Sequence, residues 1–158
     1  MIVVSNTTPI ISLASIQRVE ILKNLFGEIL IPQAVYDEIK AKESYGYEEI
    51  DLDFIHVKKV KGQLYKDLLL SQLDLGETET ILLAKELKAN HVLIDENIAY
   101  KIAKNSGLDA IRTLSILLKA KEKGIIENIK PMLDEMISKG RWYSEKVYDS
   151  FLKKIGEL

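Results

Sequence analysis

The chain has 158 residues, with 22 Lys and Arg against 24 Asp and Glu, a formal net charge of −2 and no cysteine. That length fits one domain that buries a sizeable core without disulfides or a structural metal, and the missing cysteine excludes thiolate metal sites, thiol redox chemistry and a cysteine nucleophile. The near balance of charge excludes a global positive field for nucleic acid and leaves only a local patch. Met1–Ser5 lacks a basic leader, and no apolar run approaches the roughly 20 residues of a membrane span, so a cytoplasmic protein with no membrane partner is expected. High charged content, scarce Gln and absent Cys lean towards a thermophile, where ion-pair networks become more favourable.

Ile2-Val3-Val4-Ser5 has the β-branched composition of a central parallel strand, and Asn6-Thr7-Thr8-Pro9 follows at once. Thr7 or Thr8 is expected to cap the next helix, with Pro9 at its first position. Ile10, Leu13, Ala14, Ile21, Leu22 and Leu25 recur at helical spacing, predicting a helix to about Phe26 with Gly27 as its stop. Asn6 then ends the first strand, either as a turn or Asx cap or as a site residue. Glu28–Ile31 reads as a second strand, and Pro32 opens a helix to about Lys42 with Val35, Tyr36 and Ile39 inward. Glu38 on that helix is either a solvated acid or a ligand.

Lys42 to Asp53 reads as a polar loop, and Phe54–Val60 alternates as a third strand near an edge, with His56 on its surface. Gln63–Leu70 is expected to be a short amphipathic helix with Leu64, Leu68 and Leu69 inward. Asp74 is expected to cap a helix from Leu75 or Gly76 to Leu87, and Glu77 in its first turn also suits the helix dipole. His91–Ile94 is the most buried-looking strand. Asp95-Glu96-Asn97 then opens a helix to Asn105-Ser106-Gly107, which leaves Asp95 as that helix's N-cap or as a site residue. Leu108–Arg112 is a last strand, and Thr113 is expected to cap a helix through Lys123. Two more helices are expected at about Ile126–Lys139 and Ser144–Ile155.

The alternation of strands and helices predicts a three-layer α/β/α sandwich with a central parallel sheet of about five strands. All strand carboxyl ends then share one edge, which puts Asn6 and Asp95 on one rim beside the helix start at Glu77. Glu38 reaches that rim only if its helix packs alongside the first strand. Several oxygen side chains in one cleft repel each other unless a cation lies between them, and oxygen donors without His or Cys favour Mg²⁺ or Mn²⁺. No Gly-rich phosphate loop follows any strand, which weighs against a nucleotide-binding or phosphotransfer domain.

Four segments occur in order: Val3-Val4-Ser5-Asn6-Thr7-Thr8-Pro9, Ile31-Pro32-Gln33-Ala34-Val35-Tyr36-Asp37-Glu38-Ile39, Leu75-Gly76-Glu77-Thr78-Glu79-Thr80-Ile81 and Leu93-Ile94-Asp95-Glu96. Together they resemble the PIN-domain superfamily, in its prokaryotic branch related to the toxin nucleases of toxin–antitoxin pairs. The resemblance covers about residues 1–125 as a PIN-like α/β domain, with 126–158 as a helical extension packed on it. It implies a metal-dependent endoribonuclease whose clustered acids hold one or two Mg²⁺ or Mn²⁺ ions that activate water against a phosphodiester of RNA. It also implies a homodimer held inactive by a small antitoxin protein.

Carried over by residue, Asn6 stands where most PIN nucleases have an Asp. Glu38 takes the second acidic place, Glu77 the third and Asp95 the fourth, with Glu79 and Glu96 in reserve. Glu77 lies 18 positions before Asp95 and Glu79 lies 16, and the longer interval matches the family better. The two are some 200° apart around the helix at ~100° per residue, so they cannot both face one ion. Thr7 and Thr8 are expected to hydrogen-bond beside the ligands. An Asn keeps a ligating carbonyl oxygen but withdraws one negative charge, which feeds an alternative reading as a catalytically weakened domain that binds RNA or a protein. Lys101, Lys104, Arg112 and Arg141, the last flanked by Lys139, Trp142 and Tyr143, are expected to contact phosphates or stack on a base, or else to be a solvated helix face and an aromatic anchor.

Overall fold

The first strand, β1 (Val3–Ser5), is buried on both faces, as a central parallel strand must be. A computed structural model, which describes residues 1–63 and 65–158, sets it in the middle of a five-stranded sheet with β2 (Ile29–Pro32), β3 (Ile55–Lys58), β4 (His91–Leu93) and β5 (Ala110–Ile111). Every pairing is parallel and the order is β3-β2-β1-β4-β5. The chain lays β2 and β3 on one side of β1, then returns to lay β4 and β5 on the other. The strand order therefore reverses between β1 and β4, where an open α/β sheet leaves a crevice outside its carboxyl ends.

Alternating side chains feed two apolar layers. Val3 and Leu93 join one cluster with α1 (Thr7–Ser15), α2 (Glu20–Phe26), α3 (Gln33–Lys40), α7 (Thr113–Glu122), α8 (Lys130–Ser138) and α9 (Glu145–Lys154). Val4, Val92 and Ile94 join a second with α5 (Leu75–Glu86) and α6 (Asn97–Asn105). The result is a three-layer α/β/α sandwich. No helix among the described residues is long and apolar enough to cross a membrane.

Four local expectations need correction. The helix predicted to run to Phe26 is two helices, broken at Gln17 (φ 58), where the N–H groups of Gln17 and Arg18 close back on Ala14 and Leu13. The apolar spacing runs across the break because both pieces cover the same cluster. The helix expected over Gln63–Leu70 shortens to α4 (Lys66–Leu70), about one and a half turns with Leu68 at 66% exposure and Leu69 only partly buried; Leu64 lies outside the described residues. At α1 the N-cap is Asn6, not a threonine, and Pro9 is the third helical residue. At α7 the N-cap is Arg112, and Thr113 is already helical.

The last helices belong to the same core. Ile129, Leu133, Met136 and Leu152 are fully buried in the Val3 cluster. The segment is fastened by Glu157, whose carboxylate accepts the N–H groups of Ile129 and Lys130 at 2.8–3.0 Å and an ammonium from Lys121 at 2.6 Å. Burial alone would push this carboxyl up. The Ile129 N–H, Lys121 and the Lys130 N–H outweigh it and hold the group below the usual carboxylate value. An acid lowered by folding stabilises the protein above its unfolded pKa and loses that contribution as pH falls through the folded one. Glu157→Gln should therefore lower stability by about 1.5–3 kcal/mol at neutral pH in urea melts, and the deficit should shrink towards acid.

Candidate functional site

The site is built where β1 and β4 lie side by side. Ser5 is paired with Leu93, and the Asn6 N–H donates to the Leu93 carbonyl at 2.8 Å, so β1 leaves the sheet level with Ile94, one residue before Asp95. Asn6 has the extended backbone of an N-cap (φ −80, ψ 178) and is 5% exposed, yet its side chain makes no capping hydrogen bond. This removes the Asx-cap reading. Its Oδ1 lies 3.4 Å from the Thr80 hydroxyl, whose single proton is better placed on the Gly76 carbonyl at 2.7 Å. The amide oxygen therefore keeps most of its acceptor capacity.

Glu38 is brought to the rim by α3. Thr7 Oγ1 donates to Glu38 Oε2 at 2.7 Å, so the threonine expected as a cap ties α3 to the end of β1. Gly76, in the first turn of α5, completes the arrangement. A Cβ on Gly76 would lie 3.0 Å from Glu38 Oε2, 3.6 Å from Asp74 Oδ1 and 3.7 Å from Asn6 Oδ1. Only a residue without a side chain leaves this oxygen-lined hollow open, beside a cleft of about 380 Å³ bordered by Asp37, Glu38 and Asp74.

The two candidate acids of α5, Glu77 and Glu79, separate as their angular offset requires. Asp74 and Glu77 form a reciprocal capping box: Asp74 Oδ1 accepts the Glu77 N–H at 2.7 Å, and Glu77 Oε1 accepts the Asp74 N–H at 3.1 Å. Burial pushes the Glu77 carboxyl up; the Asp74 N–H opposes this, and the charges of Asp74, Glu96 and Glu38 add to it, so Glu77 feels the rim acids. Glu79 points away. It accepts the Ala34 N–H at 3.0 Å and Lys66 Nζ at 3.4 Å, fastening the start of α3 to α5.

Asp95 is 8% exposed and held from two sides. The Thr113 N–H donates to Oδ1 at 2.7 Å and the Thr113 hydroxyl to Oδ2 at 2.6 Å, so the strand-end acid caps α7 and not the helix that follows it. Arg141 Nη2 lies 3.2 Å from Oδ2, and its guanidinium stacks over Tyr143 at 4.4 Å. The Tyr143 hydroxyl is buried without a hydrogen-bond partner, and burial, then the charge of Asp95, pushes it up to about 12. Glu96 is the N-cap of α6, accepting the N–H groups of Ile98 and Ala99.

The remaining predicted residues divide. Arg112 donates to the Asp95 carbonyl at 3.0 Å and Asn97 Oδ1 at 2.8 Å and lies 4.1 Å over Tyr100, so it braces the rim. Lys101 is exposed on α6, and Lys104 is exposed with its ammonium 5.5 Å over Tyr100. Thr8 lines a second cleft beside Arg141. Thr80, Thr113 and Asp74 are rim residues that the sequence reading did not place there. The Asp74–Glu77 spacing and the glycine between them were the legible signal; the Thr80 and Thr113 contacts had none.

An amide carbonyl and carboxylates, with no His or Cys, form the donor chemistry of a hard divalent ion, and the Gly76 hollow draws three such oxygens towards one point. The donors present fit Mg²⁺ or Mn²⁺. As the side chains lie, no three carboxylate or imidazole groups among the described residues stand close enough to hold an ion.

A comparison with curated proteins gave no match. A family model, DUF3368, described as a PIN domain, matches residues 2–157, through the last two helices as well as the sheet. Such a match over nearly the whole length agrees with the all-parallel five-stranded sheet, and the chain belongs to the PIN-domain family.

Proposed function

We propose that this PIN domain is a metal-dependent endoribonuclease that hydrolyses phosphodiester bonds with Mg²⁺ or Mn²⁺. PIN domains carry a nuclease-type fold, generally use divalent ions and act on nucleic acid. The observation that carries the reading is the convergence of Glu38 Oε2 and Asn6 Oδ1 on the Gly76 hollow at the crevice between β1 and β4. The further role, as a cytoplasmic toxin that works as a homodimer and is silenced by a small antitoxin, rests on the resemblance to toxin nucleases.

Asn6, Glu38, Glu77 and Asp95 would hold the ion, which when bound supplies an activated water and neutralises charge on the phosphate. Thr7 fixes one oxygen of Glu38 and leaves the other free. Thr113 holds both Asp95 oxygens in place; Oδ1 keeps a lone pair, while Oδ2 also meets Arg141. Burial pushes the Glu77 carboxyl up, the direction that suits a group accepting a proton from the attacking water. Arg141, already on Asp95, stands where it can meet the negative charge of the substrate phosphate.

A second reading, RNA binding without cleavage, is favoured by one feature: the Arg141 guanidinium neutralises Asp95 on a rim where Asn6 has already removed one charge.

Thermal unfolding with saturating Mn²⁺ should raise the wild-type midpoint by roughly 5–10 °C, and Asp95→Asn should abolish most of that gain. No response in the wild type would move the binding reading to first place. Gly76→Ala places a methyl 3.0 Å from Glu38 Oε2. It should leave the metal-free protein as stable or up to about 1 kcal/mol more so, from helix propensity, while the Mn²⁺ response falls. Asn6→Asp buries an extra carboxylate beside Glu38. The metal-free midpoint should drop, and Mn²⁺ affinity by calorimetry should rise about tenfold or more, since one charge at short range in a half-screened site exceeds about 1.4 kcal/mol.

A further inference from the structure

We propose that the small cleft between α1 and the Lys139–Arg141 turn is a phosphate subsite for single-stranded RNA, with the adjoining base seated on Tyr45 in the wider cleft next to it. The identity of this ligand rests on the nuclease reading above; the donor arrangement does not. The small cleft holds about 210 Å³ and is bordered by Thr8, Ser12, Tyr45, Lys139 and Arg141.

Ser12 is 2% exposed, and its hydroxyl is buried without a partner. A serine inside a helix ordinarily donates to a carbonyl one turn back, as Ser15 does in donating to the Ser12 carbonyl at 2.7 Å. The Ser12 hydroxyl does not, so a donor on this wall goes unused. Arg141 Nε is likewise buried without an acceptor, while the other end of the same guanidinium bonds Asp95. Lys139 has only the exposed Glu135 four residues back, a contact easily given up. Two donors without a partner, one of them on a cation, beside a Lys139 held by a surface ion pair, call for an oxyanion, and Arg141 joins the cleft to the rim of acids.

The wider cleft has the opposite chemistry. It holds about 910 Å³, shares Ser15, Tyr45 and Lys139 with the first, and carries Glu43, Glu48 and Glu49 among its other lining residues, beside Gln17, Val19 and Tyr47. Those acids repel phosphate but offer acceptors to the amino groups of a base. Tyr45 is 42% exposed, whereas the Tyr47 ring is covered by Lys40 at 3.9 Å, so Tyr45 is the ring open for stacking. A base can enter only from an unpaired strand, which excludes a duplex.

The test is equilibrium binding of a short fluorescein-labelled single-stranded oligoribonucleotide in EDTA, where no cleavage occurs, with Mn²⁺-dependent cleavage of the same oligonucleotide measured in parallel. Lys139→Gln and Tyr45→Ala should each weaken binding about tenfold, and Lys139→Gln should reduce the salt slope by roughly 0.7, one phosphate contact on a single strand. Ser12→Ala should weaken binding while the melting temperature stays level or rises, because an unpartnered hydroxyl contributes nothing to folding. Lys153→Gln, on the far end of α9, should bind as wild type. Absence of wild-type binding, or cleft variants that bind as wild type, overturns the subsite. Binding that depends on the cleft without any cleavage supports the subsite and overturns the nuclease reading alone.

Discussion

The parallel pairing of β1 with β4 is the contact on which the site depends. Two strands that are 85 residues and more apart in sequence are held in register from Val3–His91 to Ser5–Leu93, and neither has a neighbour in the chain that could bring it there. Their β-branched and aliphatic side chains alternate into two apolar layers, so a slip of one residue would turn Val3 and Val4 to the wrong faces. The register that suits the core is thus the one that sets Asn6 and Asp95 on a common rim. Because the strand order reverses at this pair, the helices following β1 and β4 diverge and leave the rim open.

Around that opening, most of the polar groups serve helix starts. Asp74 and Glu77 cap α5, Glu96 caps α6, and Asp95 accepts from the first residue of α7. A helix N-terminus carries unpaired N–H groups and a partial positive charge, so a rim on which several helices begin tolerates acids that would otherwise repel one another. Asn6 and Arg141 lower the negative charge further. The rim is therefore a balanced set of charges before any cation arrives, and two oxygens that cap no helix, Asn6 Oδ1 and the Thr7-held Glu38 Oε2, stand with Asp74 Oδ1 around Gly76.

Departures from the sequence reading have one physical source. Thr7 and Thr113 are residues that statistics place at N-caps, yet each sits one position into its helix and gives its hydroxyl proton to an acid from another element, Glu38 and Asp95. Capping preference measures a local hydrogen bond in which the hydroxyl oxygen accepts a backbone N–H, whereas donating the hydroxyl proton to a carboxylate from another strand or helix is a charge-assisted and stronger bond. The break at Gln17 is of the same kind: apolar spacing reports which face is buried and is indifferent to whether one helix or two present it. In α4 too few residues were available to bury the leucines that the pattern pointed inward.

Local composition and order determined the class of this protein. Short β-branched runs alternating with amphipathic helices leave only a parallel sheet between helical layers, and acids at a strand end and a helix start foretell an oxygen-lined rim, because strand direction alone decides where those ends lie. The Asp74–Glu77 capping box was legible for the same reason, being a contact within one turn. That Glu38 reaches the rim while Glu79 turns to α3, which helix Asp95 caps, and that Arg141 returns from beyond α8 to meet it depend on pairings between distant segments. Those were decided only when the two apolar layers closed on the sheet, since no residue near any of these acids in sequence carries the information about its partner.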